Sequence, residues 1–156
     1  MITSRRDYLL RLIEEVSRAL ARVTTLRSAH RELDALQSIV GACERLFGME
    51  ADKLFQLSPS HHFAMLTENE LSESARERVL LYAALNREAG LAYAALNNPA
   101  MARASFTNAL RFSLLARIAY GEQSPPAFGP AVPELLERLQ GEPLDADLEE
   151  LLRTPV

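Results

Sequence analysis

The stretch from Leu85 to Leu114 reads LNREAGLAYAALNNPAMARASFTNALRFSL and carries the clearest structural pattern in the chain. Apolar residues recur at helical spacing on both sides of Asn97, Asn98 and Pro99. Asn98 is a favourable N-cap and Pro99 suits the first position of a helix, so the pattern predicts one helix that ends near Leu96 and another that starts at Pro99. Two helices joined by so short a turn form an antiparallel helical hairpin.

The composition extends this prediction to the whole chain. Ala, Leu, Arg and Glu dominate the 156 residues, and all four are strong helix formers. No alternating run of β-branched residues is long enough to predict a strand. We therefore expect one all-α domain of about six or seven helices over residues 1–156. Residues 1–57 supply the N-terminal helices, residues 70–120 the hairpin, and residues 121–156 an acidic segment packed on it.

The N-terminal part predicts two helices. The first extends from about Ser4, a good N-cap, to Val23, and the threonines at 24 and 25 interrupt the pattern because β-branched residues lower helix propensity. The second extends from Ser28 to Phe47, and Gly48 is expected to end it. Its predicted inward residues are Leu33, Leu36, Ile39, Val40, Cys43, Leu46 and Phe47.

The remaining segments predict shorter elements. A helix over 50–56 is expected to bury Leu54 and Phe55, and Pro59 predicts an irregular segment from Ser58 to Asn69. Thr67 to Glu70 has the composition of a capping box ahead of the long helix that ends near Leu96. After a linker over 122–130, two short helices are expected over 133–141 and 145–153.

The hairpin resembles a tetratricopeptide repeat. Gly90 and Tyr93 match the Gly and Tyr of the first repeat helix, and Ala102 and Phe106 match the Ala and Phe of the second. The resemblance covers about residues 83–116; the usual Trp and Leu positions hold Asn86 and Ala89. The opening residues Asp7–Glu15, together with the hairpin, also resemble a bacterial group of short uncharacterised proteins with tetratricopeptide-like cores. The resemblance implies a right-handed stack of helical hairpins.

The resemblance also implies a binding surface. The first helix of such a hairpin lines a concave face, and the corresponding residues here are Ala84, Arg87, Leu91, Ala94 and Ala95. An apolar strip with one guanidinium suits a protein or peptide partner that is extended or helical and largely apolar. The alternative from the residues themselves is that helix one or the C-terminal segment buries this strip, because a short chain must hide its apolar surface.

Charge and cysteine content exclude several classes. The net charge is -4, with +2 over residues 1–48, zero over 49–120 and -6 over 121–156, so no broad basic surface for nucleic acid is expected. Helix one mixes acidic and basic residues on its polar face, which disfavours membrane binding and favours core packing or a homodimer interface. The single cysteine, Cys43, lies on an apolar stripe. We expect a cytoplasmic protein.

No catalytic or metal-binding motif stands out. His61 and His62 are adjacent and lack the spacing of metal ligands, and no nucleotide-binding or nucleophile motif is present. We therefore expect no enzyme, no cofactor and no metal. The predicted function is protein–protein interaction through helical surfaces, with a peptide or with a second copy of the chain. The alternative is a ligand-binding or enzymatic bundle with a pocket near residues 58–69, around His61, His62 and Glu68.

Overall fold

Eight helices form the described part of the chain, which in this computed structural model comprises residues 4–68, 70–122 and 126–156. No strand occurs among those residues, so the all-α prediction is confirmed. The helices are α1 (Arg5–Ser28), α2 (Glu32–Phe47), α3 (Ala51–Leu54), α4 (Pro59–Thr67), α5 (Ser72–Ala95), α6 (Pro99–Tyr120), α7 (Val132–Arg138) and α8 (Ala146–Arg153).

Helix α1 is longer than predicted. Ser4 caps it as expected, because its Oγ accepts a hydrogen bond from the Asp7 amide at 3.1 Å. The predicted interruption at Thr24 and Thr25 is wrong. The Thr25 hydroxyl donates to the carbonyl four residues earlier at 3.1 Å, and the Thr24 Oγ1 lies 3.2 Å from the corresponding carbonyl oxygen. The helix therefore accommodates both threonines and continues to Ser28.

Helix α2 ends where the sequence predicted, but two residues that were predicted to face the core face solvent. Gly48 adopts a left-handed conformation with φ +66°, which is the conformation expected of a helix-ending glycine. Leu33 and Val40, both predicted to be buried, are 71% and 37% exposed. The predicted Ile39, Cys43, Leu46 and Phe47 are buried, and Ala35 and Ala42 complete the buried stripe. Small residues on this stripe allow close packing against α1 and α5, which turns Leu33 and Val40 away.

The segment predicted to be irregular contains a helix, so the expected number of six or seven helices was too low. Ser58 caps α4 by accepting a hydrogen bond from the His61 amide at 3.2 Å, and Pro59 stands in its first turn. Proline is compatible with a helix there because its missing N–H needs no partner. The preceding α3 is only four residues long; it buries Leu54 but leaves Phe55 exposed, contrary to prediction.

The α5–α6 hairpin has the predicted bounds within one or two residues. Asn98 caps α6 through its Oδ1, which accepts from the Met101 amide at 3.2 Å, and Asn97 makes the turn with φ +60°. The predicted capping box ahead of α5 is not formed: Leu71 occupies the N-cap position without a side-chain bond. Asn69, which belonged to that prediction, lies outside the described residues.

The helices pack in a consecutive order. Helices α1 and α2 pack on each other, α5 packs on both of them, and α6 packs along α5. Helix α4 lies against α5, while α7 and α8 lie against α6. One apolar cluster joins α1, α2 and α5 with Phe112 of α6; a second joins α6 to Leu135, Leu139 and Leu148 near the C-terminus.

Candidate interaction face

A cavity of about 380 Å³ lies between α1 and α5. We call its helical walls the inner face, which comprises Ser17, Leu20, Thr24, Ala84, Arg87 and Glu88. Ala127 and Phe128, from the segment after α6, complete the lining. The inner face therefore already holds a short piece of the same chain.

The inner face is organised around the carboxylate of Glu88, whose side chain is 6% exposed. Thr24 donates its hydroxyl to this carboxylate at 3.0 Å, and the Arg27 guanidinium donates to its other oxygen. Arg87 lies 3.6 Å away as a second cationic neighbour. Because a buried carboxylate needs such partners to offset its lost hydration, Glu88 fixes α1 against α5.

Arg87 connects the inner face to the C-terminal region. Its Nε and Nη2 donate to one carboxylate oxygen of Glu134, in α7, at 2.9 and 2.5 Å. Phe128, six residues before Glu134, is half-buried and packs on the apolar cluster of α1, α2 and α5. One aromatic ring and one carboxylate thus hold the segment from 126 to 134 across the inner face.

The residues predicted to line a concave face have different surroundings in the structure. Ala84 was expected to be exposed and is 3% exposed, so that expectation is wrong; α1 lies too close. Arg87 is occupied by Glu134, and Leu91 is half-buried against the α6–α8 cluster. Ala94 and Ala95 are exposed near the end of α5. The C-terminal segment covers part of the strip, which was the alternative derived from the residues.

The other candidate site, residues 58–68, contains a buried histidine that packs in the core. His62 is 5% exposed, and its Nε2 lies 2.7 Å from the Leu54 carbonyl oxygen. Its ring packs on Phe47 and Tyr82, and burial raises the pKa of the Tyr82 hydroxyl. His61 is exposed.

The cavity beside α4 does not have the lining that the alternative required. Its volume is about 460 Å³, and it is lined by Ser60 and Phe63 of α4 together with residues of α6 and α8. His61, His62 and Glu68 are not among its lining residues. Among the residues that the structure describes, no group of three or more His, Cys, Asp or Glu side chains is arranged to hold a metal ion. No described helix combines the length and the apolar composition needed to cross a bilayer.

Three contributors to the inner face were not predicted from the sequence. Thr24 was interpreted as a break, Glu134 as part of an acidic segment, and Phe128 as part of a linker. The available signal was the single aromatic residue in a proline-rich segment, because a large apolar side chain in a loop tends to pack on a core. Glu88 carried no signal that separated it from a solvated glutamate.

Comparisons of this chain with protein-family models, with curated proteins and with solved structures found no match.

Proposed function

We propose that this chain is a protein-interaction module whose inner face binds an extended peptide of a partner protein. The observation that supports this proposal is that the chain's own segment from 126 to 134 occupies the face. That segment places Phe128 on the apolar cluster and Glu134 on Arg87. A partner peptide with an aromatic residue followed by an acid would make the same two contacts in competition with it.

The helix arrangement supports the same proposal. Helix α5 packs on both helices of the α1–α2 pair and pairs with α6. A tetratricopeptide-like stack of two hairpins would show this order of contacts, with α1 and α5 as the first helices that line the concave side. The Gly90 and Phe106 pair, on which the resemblance rests, is in direct contact in this structure. We propose the right-handed stack on these grounds.

A competition experiment tests the proposal on the full chain. In the opened variant, Phe128→Ala and Glu134→Gln weaken the two contacts that hold the segment. A fluorescently labelled peptide with the sequence of residues 126–136, PAFGPAVPELL, should bind this variant at least 10-fold more tightly than the wild-type chain, because the intramolecular competitor is removed. Fluorescence anisotropy measures both affinities.

A charge exchange tests whether Arg87 carries the binding. Adding Arg87→Glu to the opened variant should abolish peptide binding, and a peptide with Arg in place of the glutamate should restore it. Arg18→Glu, an exposed change of equal charge on α1, is the matched control and should leave binding unchanged. Equal peptide affinity for wild-type and opened chains, or binding that survives Arg87→Glu, would show that the inner face is not the peptide site.

A pull-down from cell lysate tests the same face with natural partners. Captured proteins should be lost from the Arg87→Glu variant and kept by the exposed control Arg18→Glu. Retention of every captured protein by Arg87→Glu would contradict the proposal.

A further inference from the structure

Helix α2 has an exposed face that combines two apolar side chains with a glycine. Leu33 is 71% exposed and Val40 is 37% exposed, and the two lie about two helical turns apart on one side of the helix. Gln37 and Gly41 are exposed on the same side. We call these residues, Leu33, Gln37, Val40 and Gly41, the outer face. The opposite side of α2 is buried and packs on α1 and α5.

The packing of the chain itself does not require the glycine on this face. Gly41 lies inside α2, and a Cβ atom added there would have no neighbour within 4 Å. Glycine in a helix interior costs about 1 kcal/mol relative to alanine. On a helix surface it lets the backbone of another helix approach closely, because the distance between packed helices depends on the side chains at their contact. Gly41 beside the exposed Val40 therefore indicates that a helix from outside the chain packs here.

The charges beside the outer face make α2 complementary to itself. Asp34 stands in the first turn of α2 and Arg45 in the last, about three turns apart on one flank of the face. Two copies of α2 that pack antiparallel around a two-fold axis bring the same flank of each helix together. Asp34 of each copy then lies opposite Arg45 of the other.

Both side chains have a partner within the chain and can take a second. Asp34 pairs with Arg31 at 2.9 Å and its side chain is 49% exposed. Arg45 pairs with Glu15 at 3.1 Å and its side chain is 64% exposed. A contact between the two copies extends these pairs, because a carboxylate and a guanidinium each form several hydrogen bonds.

We propose that the outer face binds the outer face of a second copy of this chain in an antiparallel two-fold dimer. Val40 of each copy packs beside Gly41 of the other, Leu33 covers the apolar edge, and the contact between Asp34 and Arg45 forms twice at the rim. Because each copy contributes mainly one helix, the dimer buries less than the roughly 1,600 Å² of a standard stable interface. The dimer is therefore reversible, and the chain is a monomer at about 5 μM and largely a dimer at about 500 μM.

Analytical ultracentrifugation of the full chain measures this equilibrium between about 5 and 500 μM. Leu33→Asp should weaken self-association at least 10-fold, because it places a carboxylate in the contact. Leu71→Asp is the matched control, since Leu71 is 63% exposed at the N-cap of α5 and not on α2; it should have no effect.

Gly41→Leu separates a close helix contact from unspecific apolar association. Leucine enlarges the apolar surface and favours the helix, and the space around Gly41 accepts it within one chain. The added side chain should nevertheless weaken the dimer at least 10-fold, because it keeps the two helices apart. Unspecific association would become stronger.

An exchange of charges identifies the partner as a second copy. Asp34→Arg alone, or Arg45→Asp alone, places like charges opposite each other in both rim contacts and should weaken the dimer about 5-fold. An equimolar mixture of these two variants should form a heterodimer about as tightly as the wild type pairs with itself, because both rim contacts again join opposite charges.

Four results would overturn the proposal. The wild-type chain could remain a monomer at about 500 μM, which would leave the outer face to another partner. Leu33→Asp could associate as the wild type does, Gly41→Leu could associate more tightly, or the mixture of charge variants could associate no more tightly than each variant alone. The outer face shares no residue with the inner face, so none of these results would bear on the proposed peptide binding.

Discussion

Gly90 lies in the middle of α5, where glycine normally weakens a helix, yet its replacement should destabilise this protein. A Cβ atom built at Gly90 would lie 2.6, 2.7 and 2.8 Å from three ring atoms of Phe106. These distances are well below an ordinary carbon–carbon contact of about 3.5–4.0 Å. Phe106 is 4% exposed, so its ring has little free space to enter. Gly90→Ala must therefore shift the ring or separate α5 from α6.

Two opposing terms give the magnitude. Alanine in place of glycine in a helix interior contributes about 1 kcal/mol of stability. Overpacking a well-packed core costs about 1–3 kcal/mol, and three contacts this short place Gly90 in the upper part of that range. We expect Gly90→Ala to lower the free energy of unfolding by about 1–2 kcal/mol.

Gly41 is the matched control in the same chain. It lies inside α2, is exposed, and an added Cβ there has no neighbour within 4 Å. Gly41→Ala should raise the free energy of unfolding by about 1 kcal/mol. Urea denaturation followed by circular dichroism measures both variants, and their midpoints should differ by about 1–1.5 M if the denaturant slope is about 2 kcal/mol/M.

A double-mutant cycle assigns the effect to Phe106. Leucine at this position lacks the Cε1 and Cζ atoms but keeps a Cδ1, so Gly90→Ala should cost less in the Phe106→Leu background than in the wild-type chain. The explanation is wrong if Gly90→Ala stabilises the wild-type chain as Gly41→Ala does. It is also wrong if the cost of Gly90→Ala is the same with and without Phe106.

Three further changes test other parts of the fold. Gly48→Ala should cost about 1 kcal/mol in urea denaturation, because φ +66° strains any L side chain there; no loss would contradict the role of Gly48 as helix end. Burial raises the pKa of the Cys43 thiol from 9.0 to about 12. The unfolded chain therefore loses this proton first, and stability should fall by about 1.4 kcal/mol per pH unit between those values, with a flatter profile in Cys43→Ala; equal alkaline denaturation profiles would refute this. Arg78, 6% exposed, donates to the Leu46 carbonyl at 2.8 Å and pairs with Glu70 at 3.4 Å. Glu70 keeps Arg5 as a partner at 2.6 Å, so the main loss is the hydrogen bond to the Leu46 carbonyl. Arg78→Met should cost about 1–3 kcal/mol in thermal or urea unfolding, and an unchanged free energy of unfolding would show that Arg78 does not hold α5 against α2.

The hairpin was predictable because its signals are local. Asn98 and Pro99 determine the start of α6 through their own backbone preferences, and the close contact of Gly90 with Phe106 follows the spacing that the sequence displays. The end of α2 at Gly48 was predictable for the same reason, since glycine accepts a positive φ at low cost.

The sequence-based predictions were wrong where a local residue preference is compatible with two different structures. Proline at 59 prevents a helix from continuing through this position, but it is compatible with the first turn of a new helix. Here Ser58 is the N-cap and Pro59 is the first residue of α4. The threonines at 24 and 25 lower helix propensity, but tertiary packing stabilises α1 by more than this small cost. The Glu88 carboxylate also accepts a hydrogen bond from the Thr24 hydroxyl. The orientation of α2, which exposes Leu33, depends on which small residues contact its neighbours.

The sequence by itself determined the all-α class, the α5–α6 hairpin and the end of α2 at Gly48, because propensity, capping and periodicity act within a few residues. Only the tertiary structure decided what surrounds Arg87. Its partners are Glu88, next to it in the sequence, and Glu134, 47 residues away. Such contacts depend on how segments that are far apart in the sequence pack together, and local sequence patterns do not contain that information.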